Sequence, residues 1–553
     1  MATLNEQQQL AVGCNNDKIL CLAGAGTGKT FSMIARISRL VSEGVDPSSI
    51  LVLTFTNAAA FEMKERYQKD HLKQRCPEFR TFHSFCYSLL ATDKAVRNKL
   101  GYFAIPKIAD HSQVKRIQTN AKMQCSIKLS DSKLLGRTPL APGEDYQFNL
   151  YKKAVNKGLR SENLITFDKL CYGVCKLFVS DDPVVECYKQ QYKYIFVDEF
   201  QDTDLKQYEF VESFTDAKLF VVGDALQAIY AFRGADSSII KSLSTDPSWE
   251  TIKLSQNYRS NKHICDYANE HSRHADDSYR VAIQSSKPGP HVDIIDVEGC
   301  DSFDEDVSAD TLEALPSIVT SCEGTTAILC RTNKEVDCVL ETLDDLSIQY
   351  STGKKNTDVI HIMKSVNNNQ YMLDWLTTYL NAEKYAEYVR STAIQAEEDP
   401  DSSPVRLFVE KYGTVRKIQE KLDMISQVRN ILIAPKSRLE KVAEILELFD
   451  LGDKIAEFVD DEPQTIVELI NRIIDMLNED MENDLYVGTI HSSKGLEYDN
   501  VFLIGVGDKS FRLTNEENKN LYYVGITRAK DRLTIFECCD DCAPNWYEEE
   551  LSS

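Results

Sequence analysis

Leu20-Cys21-Leu22-Ala23-Gly24-Ala25-Gly26-Thr27-Gly28-Lys29-Thr30 is an apolar run that turns through three glycines and closes on a lysine and a hydroxyl. The glycines let successive backbone N–H groups face inward, the arrangement that cradles a polyphosphate, while Lys29 reaches the terminal phosphates and Thr30 offers an oxygen to magnesium. A helix opening at Thr30 adds its positive end to the same anion site. Met33, Ile34, Ile37 and Leu40 recur at helical spacing, so this helix is predicted to run to about Gly44. The stretch predicts a nucleoside triphosphate site at the end of a buried strand.

The chain has 553 residues, a length that suggests roughly three or four domains. Hydrophobic residues make up 42% and charged residues 27%, the balance of a globular protein with packed cores. A formal net charge of -23 excludes a surface that attracts nucleic acid or anionic membrane everywhere, so any such contact needs a local groove. The N-terminus lacks a basic segment followed by an apolar core, and no apolar run is long enough to span a bilayer, which predicts a soluble, unexported protein. The 16 cysteines are scattered through apolar segments and read as small buried side chains in a reducing compartment. Cys538, Cys539 and Cys542 cluster, but no second Cys or His pair stands at zinc-site spacing nearby.

The polar cluster Leu4 to Val12 reads on its residues alone as an exposed helix start. Leu51–Thr56 is predicted as a buried strand and Ala58–Tyr67 as a helix. Thr54-Phe55-Thr56-Asn57 and Thr81-Phe82-His83-Ser84 each set hydroxyls, an aromatic and a polar group where a strand gives way to a helix. Such ends lie on the ligand-facing rim of a parallel sheet, where they can hold phosphates or stack on bases; core packing of the two phenylalanines is the competing reading. From Ser84 to Ile165 the pattern is helical and lysine-rich, an inserted subdomain whose lysines mostly face solvent.

Tyr194-Ile195-Phe196-Val197-Asp198-Glu199 is a four-residue strand ending in paired carboxylates. That order places Asp198 to hold magnesium through water and Glu199 to orient the attacking water at a γ-phosphate. Leu219–Val222 leads into Gly223 to Ala235, where Gln227, Tyr230, Phe232 and Arg233 combine phosphate sensing with base stacking. Thr251–Leu254 leads to Gln256-Asn257-Tyr258-Arg259-Ser260, an aromatic beside an arginine at another strand end.

A polar linker from Arg273 ends in Lys287-Pro288-Gly289-Pro290. Strands resume at Val292–Val297 and Thr326–Cys330, with an acidic loop, Asp301 to Asp310, between them; this second α/β unit has no phosphate loop of its own. Ala396–Pro404 reads as a surface loop within a second helical insertion. The unit closes with Val487 to Glu497 and Leu521 to Lys530, loops rich in basic, hydroxyl and acidic groups, in which Arg528 suits an arginine finger.

Taken together and in order, Gln8, Gly24–Thr30, Thr54–Asn57, Thr81–Ser84, Phe167-Asp168, Asp198–Asp202, Gly223–Ala235, Gln256–Ser260, Cys330–Asn333, Thr489–Glu497 and Tyr523–Lys530 resemble the superfamily 1 DNA helicases of the UvrD, PcrA and Rep type over nearly the whole chain. The resemblance implies an α/β protein of two RecA-like parallel-sheet motor domains, each with a helical insertion, with ATP and Mg2+ between them and single-stranded DNA crossing both. It divides the chain into a first motor domain (1–83 and 165–272) with its insertion (84–164), and a second (273–363 and 484–545) with its insertion (364–483).

Carried over position by position, the resemblance assigns Gln8 to adenine, with Arg36 and Tyr258 packing on the base. Gly24, Ala25, Gly26, Thr27, Gly28, Lys29, Thr30 and Phe31 form the nucleotide loop, and Thr30 and Asp198 serve the metal. Lys29, Asp198, Glu199 and Gln227 serve phosphate and water. Arg259 and Arg528 sense the γ-phosphate, and Glu497 completes the cleft from the second domain. Phe55, Asn57, His83, Tyr230, Phe232 and His491 match strand-contacting positions. The implied activity is ATP-dependent translocation on single strands and 3′→5′ unwinding of tailed duplexes, in the cytoplasm of a bacterium or of a host carrying a phage or mobile element. The alternative is a nucleotide-gated motor subunit that loads or regulates a partner nuclease or a replication or repair factor, and unwinds little alone. The sequence departs from the family at Lys519 and Asn520, where two arginines are usual, and at Ala225-Leu226, and its second insertion is short.

Overall fold

Side chains of β1 (Lys18–Ala23) alternate between two cores, which makes this strand the middle layer of a sandwich. Leu20 and Leu22 join one cluster; Ile19, Cys21 and Ala23 join the other. The same split runs through β2 (Ile50–Thr54), β6 (Tyr194–Val197) and β7 (Lys218–Gly223), as expected of strands covered on both faces. The protein is described from a computed structural model, which covers residues 4–71, 75–109, 111–134, 140–141, 143–297, 307, 311–315, 322–346, 348, 350–352, 427–428, 430–431, 434, 436, 438–448, 485–507 and 511–538.

With β3 (Glu78–Thr81) and β8 (Glu250–Leu254) these strands form a six-stranded, wholly parallel sheet in the order β3-β2-β6-β7-β1-β8. One face is covered by α1 (Glu6–Gly13), α2 (Lys29–Ser42) and α3 (Asn57–Asp70), through Ala11, Met33, Ile37, Met63 and Tyr67. The other is covered by α4 (Phe82–Thr92), α9 (Phe167–Val179) and the helix Leu205–Glu212. There Phe178 is the hub of an aromatic cluster, with ring centroids 4.8 Å from Phe210, 5.2 Å from Phe214 and 6.3 Å from Phe85.

Between α4 and α9 run α5 (Lys94–Lys99), β4 (Lys107–Ile108), α6 (His111–Gln124), α7 (Asp131–Leu134), α8 (Asp145–Ser161) and β5 (Leu164–Ile165). Ile117, Ala121, Leu129, Tyr151, Val155 and Leu159 give this insertion a core of its own. α4, which the sequence reading places in the insertion, instead buries Phe85, Leu89 and Leu90 against the sheet. Its apolar stripe decides its place, not the lysines that follow it.

The second sheet contains β9 (Asp293–Val297), β10 (Thr326–Cys330), β12 (Tyr498–Val506) and β13 (Ala529–Cys538), paired in parallel in the order β10-β12-β13-β9. β10, β12 and most of β13 are buried; β9 lies beside β13 and exposes Asp293, Ile294 and Asp296. The fold is thus α/β with two parallel sheets, as expected.

The chain separates into two units, residues 1–338 with 489–553, and residues 339–488. In the second, Ser351 N–H donates to Leu485 O at 2.8 Å and Val487 N–H to Ser351 O at 2.9 Å, holding β11 (Leu485–Thr489), while the helix Arg438–Leu448 buries Val442 and Ile445. Most of the expected insertion 364–483, the loop Ala396–Pro404, nearly all of the acidic loop 301–310, Cys539 and Cys542 lie outside the described residues.

Truncating Phe178 to Ala removes the ring that α4, α9 and Leu205–Glu212 share. A loss of about 3–5 kcal/mol is expected, read as a lower urea midpoint for the transition that reports the six-stranded sheet.

Candidate nucleotide and nucleic-acid site

Every functional loop of the first sheet leaves from the C-terminal edge of its strand, because parallel strands present the same end together. The phosphate loop follows β1, Phe55 follows β2, Asp198 and Glu199 follow β6, Asp224 follows β7 and Asn257 follows β8. In the phosphate loop, Gly26 and Gly28 stand at φ +68° and +81°, and a Cβ on Gly26 would meet Asn257 Nδ2 at 2.7 Å. Asn257 earns this proximity: its Nδ2 donates to Ala25 O at 2.7 Å, and its Oδ1 accepts from the N–H groups of Arg259 and Ser260.

α1, α3 and α4 are capped by their own neighbours, Asn5, Thr56 and Thr81, whereas α2 starts at Gly28 without a side-chain cap. Its first N–H groups therefore face the space enclosed by the loop, an arrangement that accepts a phosphate. Gln8 is 2% exposed, not the solvent-facing helix start its residues suggested. Its Nε2 donates to Thr27 O at 3.2 Å and its Oε1 accepts from Asn5 N–H, so it seats α1 against the loop. The Tyr258 ring lies exposed beside them, with its hydroxyl accepting from Asn5 Nδ2 at 2.8 Å. Phe31 lies in the first turn of α2, half-buried.

Arg36 requires a correction. Rather than facing a base, its guanidinium is buried over the Phe220 ring, 4.9 Å from the centroid, and its Nη1 donates to the carbonyls of Ala11, Val12 and Cys14. It ties off the C-terminal end of α1, where cations are favoured; burial brings its pKa down to about 10.

The acids behave differently from one another. Burial, with Glu199 adjacent, pushes Asp198 up to about 7, and its Oδ1 is buried without a hydrogen-bond partner. Burial acts on Glu199 in the same direction but is outweighed by Lys29, Lys494 and Arg528, which hold it at about 2. Lys29 Nζ stands 3.9 Å from Glu199 Oε2. Glu199 also sits at φ 50°, a left-handed conformation rare for a non-glycine residue. A buried, unpartnered carboxylate oxygen has the chemistry of a ligand for a hard cation.

Across the cleft, Arg528 is 2% exposed, and its Nη2 lies 3.5 Å from Gln227 Oε1. Val524 O and Leu496 O fix its orientation. Arg259 Nε donates to Glu497 Oε2 at 2.7 Å and its Nη1 to Thr527 O at 2.9 Å. Thus Lys29, Glu199, Gln227, Arg259, Glu497 and Arg528 are brought to one cleft.

Two connecting residues lie in the quoted motifs, but the sequence reading gave them no role. Gln201 Nε2 donates to Glu199 Oε2 at 2.6 Å, and its Oε1 accepts from Asp224 N–H at 3.0 Å; Asp224 in turn accepts from Gln227 Nε2 at 2.8 Å. Lys494 Nζ donates to Asp202 Oδ2 at 2.5 Å and to Gln227 O at 2.9 Å, and lies 4.7 Å from the centre of the Tyr230 ring. A lysine two residues after a serine in a loop carries no local signal of such a role; only the fold supplies it. Asn520, one of the departures from the family pattern, donates to Ala228 O at 3.1 Å.

The strand-contacting candidates form a row. Phe55 and Tyr230 stack at 5.5 Å with 10° between planes, Tyr230 meets Phe232 at 6.0 Å, and Phe232 meets His491 at 5.5 Å. Phe232 is 63% exposed and Asn57 is exposed at the start of α3. His83 stands apart, edge-on to Phe167 at 5.7 Å, on a cavity of about 660 Å3 that Phe55, Asp168 and Asp202 also line.

The environment of Asp198 makes a prediction about stability. Its native pKa of about 7 lies above the unfolded value near 3.8, so its charge destabilises the fold increasingly as pH rises from about 4 to 7 and by a constant amount above that. Asp198→Asn should raise the Tm of the nucleotide-free chain at pH 8 by about 2–4 °C, the shift for roughly 1 kcal/mol in a sizeable domain, with the gain vanishing near pH 4. The same change should lower ATP turnover about 10- to 100-fold. Calorimetry across this pH range, paired with phosphate release, checks both.

Residues 4–248 match the UvrD/REP helicase N-terminal domain, and residues 353–539 match the UvrD-like helicase C-terminal domain. The chain is 29% identical to the ATP-dependent DNA helicase PcrA of Bacillus subtilis (strain 168), with 97% of this chain and 82% of that protein aligned. It is 27% identical to PcrA of Staphylococcus aureus (strain NCTC 8325 / PS 47), over 96% and 83%, and 26% identical to PcrA of Leuconostoc citreum, over 96% and 81%. The two domain matches together take in most of the sequence, and their order is that of the two sheets' phosphate-binding and arginine-bearing loops. The chain belongs to the UvrD/Rep family of helicases, enzymes that hydrolyse ATP.

Proposed function

We propose that this protein is an ATP-driven translocase on single-stranded DNA that unwinds tailed duplexes in the 3′→5′ direction. Lys494 is the observation that carries the reading, because one ammonium group touches the nucleotide cleft through Gln227 O and Asp202 and the aromatic row through the face of Tyr230. A change in cleft geometry therefore has a direct route to the residues that would grip a strand.

In the cleft, Lys29 meets the phosphates from the first sheet and Arg528 meets them from the second. Glu199, kept ionised by those cations, orients a water in line with the γ-phosphorus; the water oxygen forms the new P–O bond as ADP leaves. Mg2+ held by Thr30 and Asp198 would neutralise phosphate charge. Gln8 and Tyr258 frame the base. Gln227 and Arg259 respond to the γ-phosphate, since both bond to groups that it would displace or attract. Phe55, Tyr230, Phe232 and His491 form a floor that stacks on bases of any sequence, which a motor requires, and Asn57 and His83 offer the strand polar contacts outside that row. Opening one base-pair step costs about 1.4 kcal/mol, well within one hydrolysis event. The polarity follows the family resemblance. No described helix is long and apolar enough to cross a membrane, and we place the activity in the cytoplasm of a bacterial cell, whether chromosome-, phage- or mobile-element-encoded.

Lys29→Ala and Glu199→Ala should abolish DNA-stimulated ATP hydrolysis, and Arg528→Ala should lower it about a thousandfold; turnover retained in all three would refute the cleft assignment. Phe232→Ala should weaken single-strand binding about 5- to 150-fold, the equivalent of 1–3 kcal/mol of base stacking, as measured by fluorescence anisotropy. Strand displacement on 3′-tailed, 5′-tailed and blunt duplexes tests direction. Unwinding of the 3′-tailed substrate alone is expected. Vigorous ATP turnover with no displacement of any substrate would favour a motor subunit that serves a nuclease or a replication or repair factor.

A further inference from the structure

Cys86 on α4 and Cys171 and Cys175 on α9 bring their three sulfurs within 4.8 Å of one another, all buried. The sequence does not advertise this cluster. Cys171 and Cys175 are one helical turn apart, and Cys86 lies far upstream, so no spacing of the zinc-finger kind is present; the packing of α4 on α9 creates it. Cys171 Sγ and Cys175 Sγ are 3.9 Å apart. Two thiolates bound tetrahedrally at the usual Zn–S length of about 2.3 Å stand about 3.8 Å apart.

We propose that Cys86, Cys171 and Cys175 form a three-thiolate binding site for a thiophilic d10 cation of the Zn2+ class. Three further observations support it. Cys171 and Cys175 line the cavity of about 660 Å3 beside Phe55 and His83, which gives an ion a path in and leaves room for a fourth ligand from solvent. Second, the Cys171 and Cys175 sulfurs already stand at the separation that a shared tetrahedral ion requires, so binding needs no repacking of that pair. Third, thiolates select soft and borderline cations over the Mg2+ that the carboxylate site of the cleft would take, so the two sites do not compete for one metal.

The position gives the site a mechanical meaning. Cys86 follows His83 by one turn of α4, and Cys171 follows Phe167 by one turn of α9; the His83 and Phe167 rings are 5.7 Å apart. A cation bound to all three sulfurs would lock the two helices one turn below the floor of the strand-binding groove. The proposal concerns metal binding by this chain and stands whether or not the helicase reading holds.

Metal-free full-length protein titrated with Co2+ should develop a sulfur-to-cobalt charge-transfer band and the intense visible d–d bands of a tetrahedral site, saturating at one equivalent and displaced by Zn2+. Cys86→Ser, Cys171→Ser and Cys175→Ser should each abolish the bands, and the triple variant Cys538→Ser/Cys539→Ser/Cys542→Ser should keep them. As a test that needs no substitution, Zn2+ should protect Cys86, Cys171 and Cys175 of the wild-type protein from alkylation under mild denaturant, read by peptide mass spectrometry. Absence of bands at excess Co2+, bands that depend on the C-terminal cysteines, or alkylation unaffected by Zn2+ would each overturn the proposal and leave three thiols packed as small apolar groups.

Discussion

The Lys494–Asp202 pair is the interaction on which the functional geometry depends. Both side chains are almost wholly buried, with exposures of 8% and 1%. Burial raises Asp202 to about 6 even with the lysine beside it, so losing the cation would leave an uncompensated carboxylate in the protein interior, which is strongly destabilising. The pair therefore holds the Thr489–Glu497 loop in one place, and through Leu496 O that loop sets Arg528 beside Gln227. From Glu199 a continuous hydrogen-bonded relay runs through Gln201, Asp224 and Gln227 to the neighbourhood of Arg528. Glu199 and Gln201 follow β6, and Asp224 and Gln227 follow β7; the parallel sheet lines up these two neighbouring strand ends.

Much of this was legible in the residues. β6 and β10 fall at Tyr194–Val197 and Thr326–Cys330 as read from the apolar runs, and the phosphate loop, the paired acids and the arginine-bearing loop come together as their order implied. The direction of Arg36 is not legible in the sequence, because a helix position near the phosphate loop says nothing about which way a long side chain turns; the carbonyls at the end of α1 capture it. The place of α4 is hidden in the sequence because the lysines after it mask a stripe of Phe85, Leu89 and Leu90. Lys494, Gln201 and the Cys86–Cys171–Cys175 cluster are invisible in the sequence for a common reason, that at least one partner of each comes from another segment and leaves no periodic trace.

The cleft is assembled from groups that would be costly in isolation. Asp198 keeps an unpartnered buried oxygen, Glu199 occupies a strained backbone conformation, and burial, with Arg259 close by, lowers Arg528 to about 9. These liabilities offset one another only in part, and the remainder is what a triphosphate and its cation would neutralise. Stability is thus held by the aromatic core around Phe178, on the far side of the sheet from α2, while the rim stays polar and incompletely satisfied.

The clasp between Arg259 and Glu497 has a further consequence for how the enzyme answers to its medium. Glu497 is nearly half open to solvent, and Arg259 only slightly, so dissolved electrolyte loosens this contact by screening it. An incoming polyanion competes with the carboxylate for the same guanidinium. The contact is therefore firmest in dilute buffer and slackens as salt rises, from its carboxylate side first.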